Sequence, residues 1–226
     1  MAPLRPLAHA LLAAAAVLLC AGQAGAASPG AADASPMALA GPSASTDVRR
    51  VADWALAIRD NQGLPFAIID KKAAAVFIFG ADGRLRGASP VLLGRAIGDD
   101  TVPGIGERKL HSILPEERTT PAGRFLAAPG RDLERDVLWV DYDNAISMHR
   151  VVHGDPDDRR LERLASPSPA ERRISYGCIN VPVKFYDEVI APTLGTSASV
   201  VYILPEVKSL VQVFGLADGE LAAASR

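Results

Sequence analysis

The chain has 226 residues and a nearly balanced charge, with 24 Lys and Arg against 26 Asp and Glu. This mild balance argues against nucleic acid or a strongly anionic membrane as a partner, because both attract clearly basic surfaces. Without the N-terminal segment described next, roughly 200 residues remain, which is enough for one domain with a substantial apolar core.

Residues 1–26 have the three-part pattern of a secretory signal. Arg5 gives a positive start, residues 10–21 are apolar but too short to span a bilayer, and residues 24–26 offer a small-residue cleavage site. A lipoprotein anchored through Cys20 is the alternative, although a leucine precedes that cysteine where a small residue is expected. We therefore expect an exported protein of the periplasm or cell envelope, with no transmembrane segment in the mature chain.

Cleavage at this site would leave Cys178 as the single cysteine of the mature chain. The thiol could be a small apolar core residue, but its neighbours are polar and turn-forming, and a lone thiol is unusual in an exported protein. The thiolate is the reactive form, and an ordinary cysteine titrates near ~8.5, so a nucleophilic role needs a nearby base. Gly177 allows a sharp turn that can bring peptide N–H groups close to a substrate oxygen.

The segment that follows the signal predicts a linker and then a helix. Residues 27–46 are rich in Ala, Ser, Pro and Gly, which is typical of a flexible linker. Within residues 47–64, apolar residues recur at helical spacing from Val48 to about Asn61, and Asp47 can cap this helix.

Short apolar runs separated by turns predict a mainly β, sandwich-like domain with a few helices (α+β) over residues 65–205. Gly83 supplies the positive φ of a hairpin turn, and a helix is expected from Pro182. Residues 206–226 form a C-terminal tail in which a helix is expected. The expected strands cover residues 66–70, 75–79, 84–93, 137–140, 145–152 and 198–204, with another short strand after a turn at 119–125.

Four motifs, in order along residues 66–204, resemble the catalytic domain of the L,D-transpeptidase (YkuD-type) family. A hairpin at Asp82-Gly83 comes first, and Thr120-Pro121-Ala122-Gly123-Arg124-Phe125 is similar to the family's T-P-x-G-x-F. Ser175-Tyr176-Gly177-Cys178-Ile179-Asn180 is similar to S-H-G-C-[IV]-[RN], and the segment 195–200 resembles a G-T-x-V strand. The resemblance implies a YkuD-like β-sandwich.

The resemblance also implies acyl transfer on peptidoglycan stem peptides. Cys178 would attack the carbonyl between the L-centre of a diamino acid and the terminal D-alanine, releasing D-alanine and leaving a thioester for an amine to resolve. The sequence has no Cys/His cluster at metal-ligand spacing and no phosphate-cradling glycine loop, so we expect no metal and no cofactor.

Two histidines are candidates for the base. His149 ends the apolar stretch 145–148, where the family histidine lies, and a strand holds a base more firmly than a loop does. His153 is the alternative, because it precedes Gly154 as in the family's H-G, but it borders a polar turn. His111 is expected to be a surface residue.

The resemblance assigns oxyanion or substrate contacts to Ser175, Tyr176, Gly177 and Asn180. Tyr176 replaces the family's histidine, and Asn180 replaces its commoner arginine. Arginines near the thiol could pair with stem-peptide carboxylates, and we assign this role to Arg173, whereas those between 159 and 163 fit a solvated helix equally well.

Two other functions stay open at this stage. Water could resolve the same thioester, which would give an L,D-carboxypeptidase or a hydrolase that releases wall-linked protein. The fold could also be a non-catalytic wall-binding module, because Tyr176 stands where the family mostly has histidine.

Overall fold

The computed structural model describes residues 41–132 and 134–216. The predicted signal, Cys20, residues 27–40 of the predicted linker and residues 217–226 of the tail lie outside this described part. Within it, no helix is both long enough and apolar enough to cross a membrane.

Helix α1 begins at Thr46 and ends at Ala57. Its cap is Ser45, whose side chain accepts a hydrogen bond from the Val48 amide at 3.2 Å. The prediction that Asp47 is the cap was therefore wrong, and Asp47 lies inside the first turn, where a negative charge still suits the helix dipole. The helix also ends before the predicted Asn61, because the chain turns at Arg59, which has a positive φ of 57°.

The described residues are mostly sheet, with short helices at the edges. The strands are β1 Phe66–Asp70, β2 Ala75–Phe79, β3 Leu85–Pro90, β4 Leu93–Gly94, β5 Gly123–Asp132, β6 Arg135–Asp141, β7 Ile146–Arg150, β8 Arg173–Ser175, β9 Ile179–Val181 and β10 Ser199–Ile203. Besides α1, the helices are α2 Arg160–Ala165, α3 Val183–Phe185, which continues through a π-helical turn Tyr186–Ile190 into α4 Ala191–Leu194, and α5 Leu210–Phe214. Single 3₁₀ turns lie at Ile105–Glu107, Leu110–Ser112, Pro115–Glu117, Pro156–Asp158 and Pro169–Arg172.

Eight of these strands form one sheet in the order β3-β2-β1-β10-β5-β6-β7-β9, and β4 pairs with β8. Strand β5 belongs to both halves of the sheet, because its first half pairs with β10 and its second half pairs with β6. Leu92, just beyond β3, exchanges backbone hydrogen bonds with Asn180 in β9 at 2.8 and 2.9 Å. The two ends of the sheet therefore nearly meet.

The main apolar core contains side chains from both halves of the sheet. In β1, Ala67 and Ile69 join this core together with Met148 of β7, whereas Phe66 and Ile68 pack in a second cluster that includes α1. Side chains alternate between the two faces of a strand, so a strand covered on both sides is apolar at every position. All five residues of β1 are accordingly buried.

The prediction of a mainly β domain with a few helices is confirmed, and β1 and β2 have the predicted bounds. The strand expected over 84–93 instead ends at Pro90, since proline has no N–H to donate to a sheet ladder. Strand β5 is longer than the short strand expected there, and it runs through Pro129 and Gly130, which usually break strands. The helix expected from Pro182 starts at Val183.

Candidate active site

Two neighbouring parallel strands position the candidate nucleophile and base. In the register of β7 and β9, His149 lies opposite Asn180, and Cys178 immediately precedes β9. Ile146 and Met148 of β7 are buried in the core, so the alternate residues Ser147 and His149 share the opposite face. The predicted base, His149, therefore lies on the face of β7 that is turned away from this core.

The bend before Cys178 depends on glycine. Gly177 has a φ of 135°, and a Cβ atom there would lie 2.8 Å from the Thr119 carbonyl oxygen and 2.6 Å from Ile146 Cδ1. Ser175 Oγ donates to the Cys178 carbonyl oxygen at 2.7 Å and accepts from the Gly177 amide at 3.1 Å. A larger residue at position 177 would therefore force the bend apart.

Thr120 fixes the same bend from outside. Its Oγ1 donates to the Gly177 carbonyl oxygen at 2.8 Å and accepts from the Gly94 amide at 2.8 Å. The threonine of the T-P-x-G-x-F-like motif thus ties β4 to the bend that holds the cysteine. The sequence marked this motif by resemblance alone, and the physical role of its hydroxyl was missed.

The sulfur of Cys178 is half-buried and lies among polar groups. Ser147 Oγ is 3.7 Å from Cys178 Sγ, and the thiol can donate to the Ala145 carbonyl oxygen at 3.5 Å. Burial raises the pKa of the thiol, but the hydrogen bond and charge of His149, aided by the amide and hydroxyl of Ser147, outweigh this and leave the pKa of Cys178 lowered. Ser147 was missed by sequence reasoning.

His149 is oriented by its own strand. Its Nδ1 lies 2.7 Å from the Arg150 carbonyl oxygen, which can only accept, so Nδ1 carries the hydrogen and Nε2 is left for the sulfur. Burial lowers the pKa of His149, but the hydrogen bond and charge interaction with Cys178 outweigh it and leave the pKa raised. The opposite shifts favour a thiolate–imidazolium pair.

The alternative base lies apart from this pair. His153 is exposed, and within residues 41–132 and 134–216 it makes no hydrogen bond or ion pair, although it lines the same cavity of about 970 Å³ as His149. His111 is exposed in a 3₁₀ turn. The structure brings His149, and neither of these two, into electrostatic contact with Cys178.

Ser175 and Asn180, predicted to contact the substrate or oxyanion, are buried. Asn180 Nδ2 donates to the Cys178 carbonyl oxygen at 3.3 Å, and its Oδ1 accepts from Arg160 Nη1 at 3.1 Å. These side chains therefore shape the bend from within. The amide of Gly177 is already donated to Ser175, so of these two backbone amides the one of Cys178 is the candidate donor to a substrate oxygen.

Arg173 is buried against Glu206 in an ion pair, with 8% of its side chain exposed. It belongs to a buried charged cluster that also contains Lys71 and Asp99. Its guanidinium is thus occupied by a carboxylate of the protein and is not open to a stem peptide, contrary to the role that we assigned to it.

Lys71 connects this cluster to the site. Its Nζ donates to Asp99 Oδ1 at 2.7 Å and to the Thr120 carbonyl oxygen at 2.9 Å. A fully buried ammonium group therefore supports the main chain of the residue that holds Gly177. Nothing in the sequence around Lys71 distinguishes it from the exposed Lys72 beside it.

A cavity of about 240 Å³ opens at the sulfur, between the loop that follows β4 and the turn between β6 and β7. Cys178, Tyr176, Ala145 and Arg108 are among the residues that line it. The guanidinium of Arg118 stacks on the Tyr176 ring, with Cζ 3.9 Å from the ring centroid.

No family model matches this chain, and no curated protein is significantly similar to it. In residues 41–132 and 134–216, no group of three or more His, Cys, Asp or Glu side chains is placed to hold a metal ion.

Proposed function

We propose that this chain is a cysteine acyltransferase of the L,D-transpeptidase type that acts on peptidoglycan stem peptides. The observation that supports this most strongly is that the parallel strands β7 and β9 place His149 beside the Cys178 bend, with Nδ1 of His149 held by the Arg150 carbonyl oxygen. The imidazole there lowers the pKa of the thiol, and the thiol raises the pKa of the imidazole. A structural cysteine has no need of such a partner, whereas a thiol nucleophile does. The ordered resemblance of the motifs supplies the substrate class.

In the first half of the proposed reaction, the thiolate of Cys178 attacks the carbonyl carbon that precedes the terminal D-alanine. The negative charge that develops on the carbonyl oxygen is stabilised by the amide of Cys178. The carbon–nitrogen bond then breaks, and the imidazolium of His149 gives its proton to the departing amine. A thioester and free D-alanine result.

In the second half, the amine of another stem peptide attacks the thioester carbonyl. Neutral His149 takes a proton from this amine, a new carbon–nitrogen bond forms, and the carbon–sulfur bond breaks. The thiolate–imidazolium pair is thereby restored. The reaction involves no change of oxidation state.

The fold and the N-terminal segment are compatible with this proposal. The shared strand β5 and the core between the halves of the sheet fit a YkuD-like sandwich. The signal-like residues 1–26 would place the enzyme where peptidoglycan is made.

The test is to incubate the protein with a disaccharide tetrapeptide and to measure both intact protein mass and products. We expect a thioester adduct of the tripeptide on Cys178 and a cross-linked dimer in solution, and Cys178→Ala should give neither. Tripeptide without dimer would replace transfer by hydrolysis. Binding without any adduct, under conditions in which Cys178 is alkylated normally, would leave only a wall-binding module.

A further inference from the structure

Arg118 lies against Tyr176, the residue that stands in the nucleophile motif where the family has histidine. Its guanidinium stacks over the Tyr176 ring, with Cζ 3.9 Å from the ring centroid. The face of a neutral aromatic ring such as that of tyrosine carries negative charge density and attracts a cation. A histidine ring at this position would do so less well, because it can become positively charged. Tyr176 is two residues before Cys178 and lines the cavity at the sulfur together with it.

The guanidinium is held in one orientation. Arg118 Nε and Nη2 both donate to the Ile113 carbonyl oxygen, at 3.2 and 3.0 Å. The Arg118 main chain is also fixed, because its carbonyl oxygen accepts from the Ala96 amide at 3.0 Å. Nη1 has no acceptor within residues 41–132 and 134–216, so both of its N–H groups stay open although the rest of the guanidinium is held in place.

Among the residues that the structure describes, no carboxylate balances the charge of Arg118. Arg108, which lines the cavity at the sulfur, is paired with Glu117 at 2.9 Å. No carboxylate of the described residues pairs with Arg118, and its side chain is only half-buried. An oriented guanidinium with a free N–H and uncompensated charge is suited to bind a carboxylate.

We propose that Arg118, stacked on Tyr176, is a carboxylate-binding residue that holds an anionic acyl donor beside Cys178. The identity of the donor as a stem peptide rests on the proposed function, whereas the preference for an anion rests on the arrangement of Arg118 alone. Tyr176 acts as the platform that fixes the guanidinium.

The experiment compares two small reagents that alkylate Cys178, anionic iodoacetate and neutral iodoacetamide. Both react with the thiolate, so the ratio of their rates cancels any change in the thiolate population. We expect Arg118→Gln to lower the iodoacetate-to-iodoacetamide ratio about three- to tenfold, as loss of a partly exposed charge interaction would. Lys109→Gln, which removes the same charge from an exposed neighbouring side chain, should leave the ratio unchanged.

Two further variants guard against a general disturbance of the loop. Arg118→Lys keeps the charge without the fork and should give an intermediate ratio. Tyr176→Leu should lower the ratio in the same direction as Arg118→Gln, and the double variant should lower it by less than the product of the two single effects, because both act through one guanidinium.

A stem tetrapeptide, amidated at one carboxyl at a time, then identifies the bound group. Amidation of the carboxyl that Arg118 binds should slow thioester formation in the wild type and have no effect in Arg118→Gln. Equal alkylation ratios in the wild type and Arg118→Gln would overturn the anion site even if the thioester still forms. If the wild type has a higher iodoacetate-to-iodoacetamide ratio than Arg118→Gln but no stem peptide acylates it, the proposed function is contradicted. The anion site then still stands.

Discussion

Thr120 Oγ1 donates a hydrogen bond of 2.8 Å to the carbonyl oxygen of Gly177, the residue that precedes the candidate nucleophile. The main-chain oxygen of Thr120 in turn accepts from the buried ammonium of Lys71 at 2.9 Å. The geometry of the Cys178 bend is therefore set by a buried charged cluster as well as by the residues of the bend itself.

Thr120→Val should weaken both stability and reactivity. Valine keeps the volume of threonine but leaves the Gly177 carbonyl and the Gly94 amide without their partner, which costs about 1–3 kcal/mol for a buried polar group. Urea unfolding should show this loss, and thioester formation should slow about tenfold as the bend loosens. Thr196→Val, at an exposed position, is the control. Unchanged acylation in Thr120→Val would remove the positioning role of Thr120.

Lys71→Met should destabilise the fold strongly. Asp99 and Glu206 would lose the buried cation that they share, and breaking a buried ion pair typically costs about 3–5 kcal/mol. Lys72→Met, which removes the same charge from the exposed neighbouring lysine, should change the free energy of unfolding by less than about 0.5 kcal/mol. Equal denaturation midpoints for the two variants would contradict this.

Asp99 should make stability depend on acid pH. Burial raises its pKa, but hydrogen bonds from the Lys208 amide, Lys71 Nζ and the Glu206 and Val207 amides outweigh this and hold the pKa at about 2. Because an unfolded aspartate titrates near ~3.9, the ionised carboxylate stabilises the fold above that pH, and this contribution is lost as pH falls toward about 2.

Asp99→Asn should therefore lower the urea midpoint most at about pH 5 and progressively less between about pH 4 and pH 2. Asp100→Asn, at the neighbouring surface pair with Lys208, is the control and should have a small effect throughout. If the urea midpoint of Asp99→Asn stays equally far below that of the wild type down to about pH 2, the charge of the Asp99 carboxylate does not stabilise the fold.

His149→Ala should slow thioester formation about 10²- to 10⁴-fold, which is the usual contribution of a positioned acid–base group. His153→Ala should retain most of the activity, because His153 is exposed and makes no contact with the sulfur among the described residues. Intact-mass kinetics with a stem peptide measure both. If His153→Ala is the inactive variant, the base has been assigned to the wrong histidine.

Much of the fold could be predicted from local pattern. The runs that became β1 and β2 are short, apolar and bounded by turn residues, so their bounds were predicted correctly. Strand β5 was underestimated because Pro129 and Gly130 read as breakers, although the sheet passes through them where the strand changes partners. The cap of α1 was misplaced because Ser45 and Asp47 both suit a cap.

Some residues of the candidate site could likewise be predicted from the sequence, whereas others could not. Cys178, Gly177 and His149 could be found because their residue types suit the chemistry and their spacing places them on a bend and on a strand. Lys71, Thr120 and Arg118 act through contacts between distant parts of the chain, which a single sequence does not reveal. Arg173 was given a substrate role because it is near Cys178 in sequence, but its partner Glu206 is distant.

The pairing of Cys178 with His149 is tested most directly by the pH dependence of iodoacetamide alkylation at Cys178 in the native protein, compared with His149→Gln. If His149 lowers the pKa of Cys178, the wild-type thiol reacts without unfolding, and His149→Gln moves the pH of half-maximal rate upward. A thiol that reacts only after unfolding, or one whose pH of half-maximal rate is the same in both proteins, would contradict this pairing.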